Sequence, residues 1–277
     1  MPNTFGAKLE AAFDEHGQLC VGIDPHLSLL AEWGLSDSAE SLLSFGRTVI
    51  EAASGRVGIV KPQVSFFERH GAAGFAALEL LTREARDAGL LVIADAKRGD
   101  IGTTMDAYLD AWLGKNSPFF ADSLTVSPYL GAGVYLDKLG EYVERGKGVI
   151  SLVATSNPEG ETVQLGVAQS QFENLGRINQ VIAGPGDTLG PVGAVIGATL
   201  NLQRFGLQLD AQGKVKTPIL APGFGAQGAE LGDIKRLFGS VAGTVIASVS
   251  RSVLEAGPTG IANAIDNHRL QLEKGLA

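Results

Sequence analysis

The sequence predicts an α/β protein of the (β/α)8 TIM-barrel class, a single domain over residues 1–277. Three observations carry this. Eight short apolar, β-branched runs recur along the chain. Segments with helical spacing separate most of them. Polar and charged residues gather where the runs end. Barrels of this kind reach 277 residues as one unit, and 45% apolar residues suffice for a large core.

The predicted strands are 19–24, 58–63, 90–97, 123–128, 148–156, 194–200, 218–223 and 244–250. Most are continuously hydrophobic and not alternating, the pattern of parallel strands covered on both faces. Between them, 38–53 and 74–88 place apolar residues three and four apart, as an amphipathic helix does. Asp37 or Ser38 supplies an N-cap for the first, and Gly89 a stop for the second. A shorter helical piece at 233–238 precedes the last strand. A doubly wound open sheet is the competing architecture, but the first run ends in GIDPH without a G-x-G-x-x-G fingerprint. The connection 157–190 exceeds a simple βα loop and is expected to hold an extra helix or a lid.

The formal net charge of −8 and the lack of a basic run argue against nucleic-acid binding. An anionic small-molecule substrate is compatible with it, because the local field of a cleft decides. The single cysteine, Cys20, lies in the apolar run LCVGI and is expected to be buried packing. No secretory signal and no membrane-length apolar stretch is present, so the expected location is the cytoplasm.

Active-site groups of a barrel come from the C-terminal ends of its strands. Asp24 ends the first run, Lys61 lies near the end of the second, and Asp95 and Lys97 sit on the third. Thr155 and Ser156 end the fifth, and Ser250 and Arg251 follow the eighth. Asp95 and Lys97, two apart on a strand, are expected on one face, with Asp100 following in KRGDIG. An ammonium among carboxylates stays protonated, which favours stabilising and protonating a carbanion over forming an imine. After the seventh run, APGFGAQGAE offers glycines for close backbone approach to an anion and the amide of Gln227. Arg251 adds a guanidinium suited to phosphate. His26 is expected to be packed or exposed; His16, His70 and His268 show no metal-ligand spacing. Glu68, Glu159 and Asp122 read as solvated or capping charges.

The run DAKRGDIGTT, residues 95–104, resembles the D-x-K-x-x-D-I-x-x-T signature of the orotidine 5′-phosphate decarboxylases. GIDP, VKPQ, TSNPEG, PGFGAQG and SR extend the resemblance over nearly the whole chain, in the wording of a longer-chain bacterial subgroup. The resemblance implies a cofactor-independent and metal-free carboxy-lyase converting orotidine 5′-monophosphate to uridine 5′-monophosphate and CO2 in pyrimidine biosynthesis. It implies that Lys97 protonates C6, flanked by Asp95 and Asp100, with Lys61 completing a Lys–Asp array and contacting the ribose together with Asp24. It further implies a homodimer in which Asp100, Ile101 and Thr104 serve the neighbouring subunit's site. Ser156 would bond the pyrimidine, Pro222 pack at the base, and Gln227, Arg251 and the Ser250 backbone grip the phosphate.

Metal-dependent sugar-phosphate lyases of the same superfamily share D-x-K-x-x-D. They rely on an acidic residue at the end of the second strand, where this chain has Lys61. A non-catalytic nucleotide-binding barrel predicts loss of the Lys–Asp array, and the array is intact.

Overall fold

The computed structural model describes residues 4–277, apart from the side chains of Leu136 and Asp137. Eight parallel strands close into a barrel in sequence order. They are β1 (Leu19–Ile23), β2 (Ile59–Pro62), β3 (Leu91–Arg98), β4 (Ser123–Val126), β5 (Gly148–Ala154), β6 (Val192–Ile196), β7 (Ile219–Pro222) and β8 (Val245–Val249). β8 pairs back onto β1, with Leu19 opposite Ala247.

Strand period explains the two sides of the wall. Cys20, Ile59, Ile93, Ile150, Val195, Leu220 and Ile246 form one buried cluster inside the barrel. Their neighbours one residue on, such as Val21, Val60 and Ala94, belong to the larger cluster under the outer helices. Phe5 and Leu9, from helix Phe5–His16, join the inner cluster and plug the end of the barrel where strands begin. Two residues further along the strands the interior turns polar, at Lys61, Asp95 and Thr125, and this end is the mouth.

The predicted helices stand at Ala39–Ala53, capped by Ser38 Oγ accepting from the Ser41 amide, and at Gly71–Asp87, which starts three residues earlier than its periodicity suggested. The piece near 233–238 is a turn of 3-10 helix leading into Ile234–Phe238. The segment 157–190 does hold an extra helix, the short Glu161–Gln164, ahead of the return helix Ala168–Ile182. Two expectations need correction. The sixth strand is Val192–Ile196, not 194–200, because the chain turns at 197–200, where the Leu200 amide donates to the Gly197 carbonyl. Asp122 is buried and neither solvated nor a helix cap: its Oδ2 accepts the Val92 amide and its Oδ1 pairs with Lys8. No helix among the described residues is long and apolar enough to cross a membrane.

Candidate active site

Asp95 is the hub of the mouth. Its Oδ2 pairs with Lys61 Nζ at 3.1 Å and its Oδ1 with Lys97 Nζ at 2.6 Å. Thr125 Oγ1 donates to Oδ1 at 2.9 Å and accepts the Lys97 amide at 3.0 Å. The Lys61 side chain is 8% exposed and that of Lys97 46%, so one lysine is sealed in and the other reaches the opening. Gln63, one residue past β2, brings Oε1 to 3.4 Å from Lys97 Nζ.

Simple alternation does not account for Lys97. Its φ is +50°, in the left-handed region that a long L side chain rarely occupies, and the β3–β4 register shifts between Ala94 and Arg98. Such backbone costs of order 1–3 kcal/mol and persists where surrounding bonds over-determine it. Here the Thr125 hydroxyl and the Asp95 carboxylate hold both ends of the residue.

Burial by itself pushes the Asp95 carboxyl up. Lys61 and Lys97 more than offset this and hold it down, at about 2. For Lys61 burial works downward, yet the carboxylates of Asp95 and Asp24 keep it above the ordinary lysine range. Lys61 and Asp95 are therefore both charged at neutral pH. Burial also pushes the Cys20 thiol up, to about 12, in keeping with a packing role.

Asp24 and Ser250 face each other across the end of β1. A Cβ on Gly22 would meet Ser250 Cβ at 2.9 Å and Asp24 Oδ2 at 3.1 Å, so glycine makes room for both. Asp24 Oδ1 and Ser250 Oγ are buried without a hydrogen-bond partner among the described residues. Orphans of this kind cost about 1–3 kcal/mol each and call for an explanation, which a polar ligand supplies.

On the far side, Ser156 Oγ lies 3.3 Å from Gln227 Oε1. Loop 223–229 is a tight turn: Gly223, Gly225 and Gly228 all have positive φ, and the Gly225 amide donates to the Ala229 carbonyl. Pro222 ends β7 opposite Ser248. Arg251 is exposed, with no carboxylate of the described residues within ion-pair distance.

The predicted residues thus divide. Lys61, Asp95 and Lys97 meet directly, and Asp24 adjoins Ser250. Asp100 does not touch Lys97 within the chain; its Oδ1 accepts the Ile101 amide, and Ile101 and Thr104 are exposed. His26 packs edge-on against Phe66, and Glu68 pairs with Arg98. Among the described residues no three His, Cys, Asp or Glu side chains gather as a metal-ligand set. Thr125 and Gln63 were not foreseen. Thr125 shares the inward parity of Ser123 on β4, a signal the sequence does hold. Gln63 has none beyond its place after Lys61.

The profile of the orotidine 5′-phosphate decarboxylase / HUMPS family matches residues 17–264. Orotidine 5′-phosphate decarboxylase of Streptomyces coelicolor is 48% identical over 97% of this chain and 96% of its own, and that of Salinispora arenicola 47% identical over 92% and 91%. A crystal structure from Streptomyces avermitilis superimposes with a TM-score of 0.90 at 45% identity, covering 99% of this chain and 97% of that one. Leishmania donovani OMP decarboxylase follows at 0.77 and 26%, covering 99% and 100%. With the barrel, the Lys–Asp array and a match over most of its length, the chain belongs to the orotidine 5′-phosphate decarboxylase / HUMPS family.

Proposed function

We propose that this protein decarboxylates orotidine 5′-monophosphate to uridine 5′-monophosphate and CO2, as a single (β/α)8 unit with Lys97 as the catalytic acid. The observation that carries the reading is the Lys61–Asp95–Lys97 array, closed at the mouth by Thr125. Cleavage of the C6–carboxylate bond leaves an electron pair at C6 in the ring plane, where delocalisation helps little. A fixed ammonium offsets that charge and then transfers its proton to C6. Lys97 is the lysine that reaches the opening; Lys61 and Asp95 position it. Asp24 and Ser250 offer buried polar atoms to the ribose and phosphate side. Gln227, Arg251 and the loop 223–229 suit the phosphate, and Ser156 the base above Pro222. Binding the remote phosphate is a source of energy for closing the loops over the reacting carbon.

The working form is a homodimer in which Asp100, Ile101 and Thr104 complete the partner's site. Two features support this. Asp100 lies beside the mouth yet makes no contact with Lys97 in its own chain. Apolar side chains are exposed on the loops that follow β3 and β4, Ile101 at 59%, Tyr129 at 80% and Leu130 at 50%.

The first test follows loss of the orotate chromophore in excess EDTA. Turnover is expected in the wild type and not in Lys97→Ala; a folded wild type that leaves the chromophore unchanged would sink the assignment, as would dependence on added Mg2+. Mixing Lys97→Ala with Asp100→Ala protein is expected to restore activity through hybrid dimers. No recovery after verified subunit exchange rules out the shared site.

A further inference from the structure

The barrel has a second polar concentration at the opposite end, among the loops that lead into β3, β4 and β5. A pocket of about 240 Å3 there is lined by Lys8, Arg86, Lys115, Arg145 and Lys147, with Asp122 as its only carboxylate. Five cations against one acid is a steep local imbalance in a chain of net charge −8. Asp122 is already engaged, with Lys8 at 3.2 Å, Lys147 at 3.7 Å and the Val92 amide. Arg86, Lys115 and Arg145 have no carboxylate of the described residues within ion-pair distance.

Part of this charge has a local cause. Arg86 lies in the last turn of Gly71–Asp87, and Arg145 and Lys147 follow Leu136–Val143, where helix dipoles favour cations. Backbone carbonyls of Gly146 and Ala121 accept from Lys8 and Lys147. Helix ends do not explain the convergence of five cations on one concavity. The two arginines are also held in place by aromatic faces: Arg86 lies 5.1 Å from the Phe120 ring centroid and Arg145 4.7 Å from that of Tyr142. Phe120 itself has φ +49°, unusual for a bulky residue and the kind of strain that clusters at ligand clamps. Burial lowers the Lys147 pKa, Asp122 opposes this, and the charges of Lys8 and Arg86 lower it further, so the ammonium stands among groups that repel it.

We propose that this pocket binds a multiply charged small phosphate, of the class of a di- or triphosphate, at a site separate from the mouth. The net lining charge matches such an anion, and guanidinium forks grip phosphate oxygens in pairs. At about 240 Å3 the pocket leaves room for a short polyphosphate chain.

Trp112 lines the pocket and, with Trp33, is one of two tryptophans in the chain. In a Trp33→Phe background its emission reports the pocket and not the mouth. Tripolyphosphate is expected to change it saturably, with a Kd on the order of 1 mM or below. Titration calorimetry on the unmodified protein is expected to give the same affinity. The double variant Lys115→Glu, Arg145→Glu, both at exposed positions, is expected to weaken binding at least about tenfold. The neutral pair Lys115→Gln, Arg145→Gln should fall between, and Arg251→Ala at the mouth should leave the Trp112 response unchanged. The site is overturned by a signal absent from both methods, by equal affinity in the folded charge-reversed protein, or by an equal response to sodium chloride at matched ionic strength.

Discussion

On the side of β1 to β4 the mouth is wired internally. Lys61, Asp95, Lys97 and Thr125 bond one another at 2.6–3.1 Å, most of them buried. On the side of β5, β7 and β8 the polar groups Ser156, Gln227 and Arg251 are exposed, and a single 3.3 Å contact joins two of them. Under the proposed function this difference divides the labour. A charge that must stabilise a transient carbanion works best when fixed beforehand, since it then spends nothing on reorganisation. Groups that capture a mobile phosphate, as proposed for Gln227 and Arg251, can be looser, because capture itself orders them.

The largest expected effect falls on the wired side. Lys97→Ala should lower kcat by at least about 10³-fold with KM changed only a few-fold, since both charge stabilisation and proton delivery are lost. Steady-state kinetics on a folded variant decide it; a loss confined to KM would reverse the division of labour.

Asp95→Asn should lower both kcat and stability, the latter by about 3–5 kcal/mol in urea titration, because it leaves the buried Lys61 without its ion-pair partner. The same residue gives a pH signature. Its folded pKa, about 2, lies below the usual 3.8, so the unfolded chain takes up the proton first. The stability it contributes is full above pH 4 and drains away as pH falls from there through 2. The variant should show a shallower acid slope in that window, and an unchanged slope would mean that Asp95 is not held as described.

Arg251→Ala, on the loose side, should raise KM by about 10- to 100-fold, the range of a charged hydrogen bond, while the melting temperature stays put. A phosphate-free substrate analogue should not distinguish it from wild type. The smallest expected effect belongs to Thr125→Val, which keeps shape but removes the bonds to Asp95 and the Lys97 amide. A stability loss of about 1–3 kcal/mol and a fall in kcat without a matching change in KM are expected. A neutral result would mean that the left-handed turn at Lys97 is held by the carboxylate alone.

The strand count, the closed barrel and the Lys61–Asp95–Lys97 cluster were legible in the sequence because apolar runs and strand-end charges are local patterns. The limits of β6 were not, since the apolar letters continue through 197–200 while the backbone turns. Nor was the conformation of Lys97, set by a hydroxyl 28 positions away on the next strand. Asp122 was misread for the same reason: its partners Lys8 and Val92 are brought to it by the closure of the barrel, not by sequence proximity.

That pair of strands has a consequence in time. Asp122 takes the Val92 amide at the foot of the β3–β4 seam, and Thr125 takes the Lys97 amide at its head, three residues up the same strand. The seam is thus riveted at both ends by side chains, besides its ladder. Parting it means breaking both rivets together with buried packing, which belongs to slow, near-global opening, whereas exposed loops move in nanoseconds to microseconds. The wall that carries Lys97 is therefore a fixed datum on the timescale on which exposed loops move.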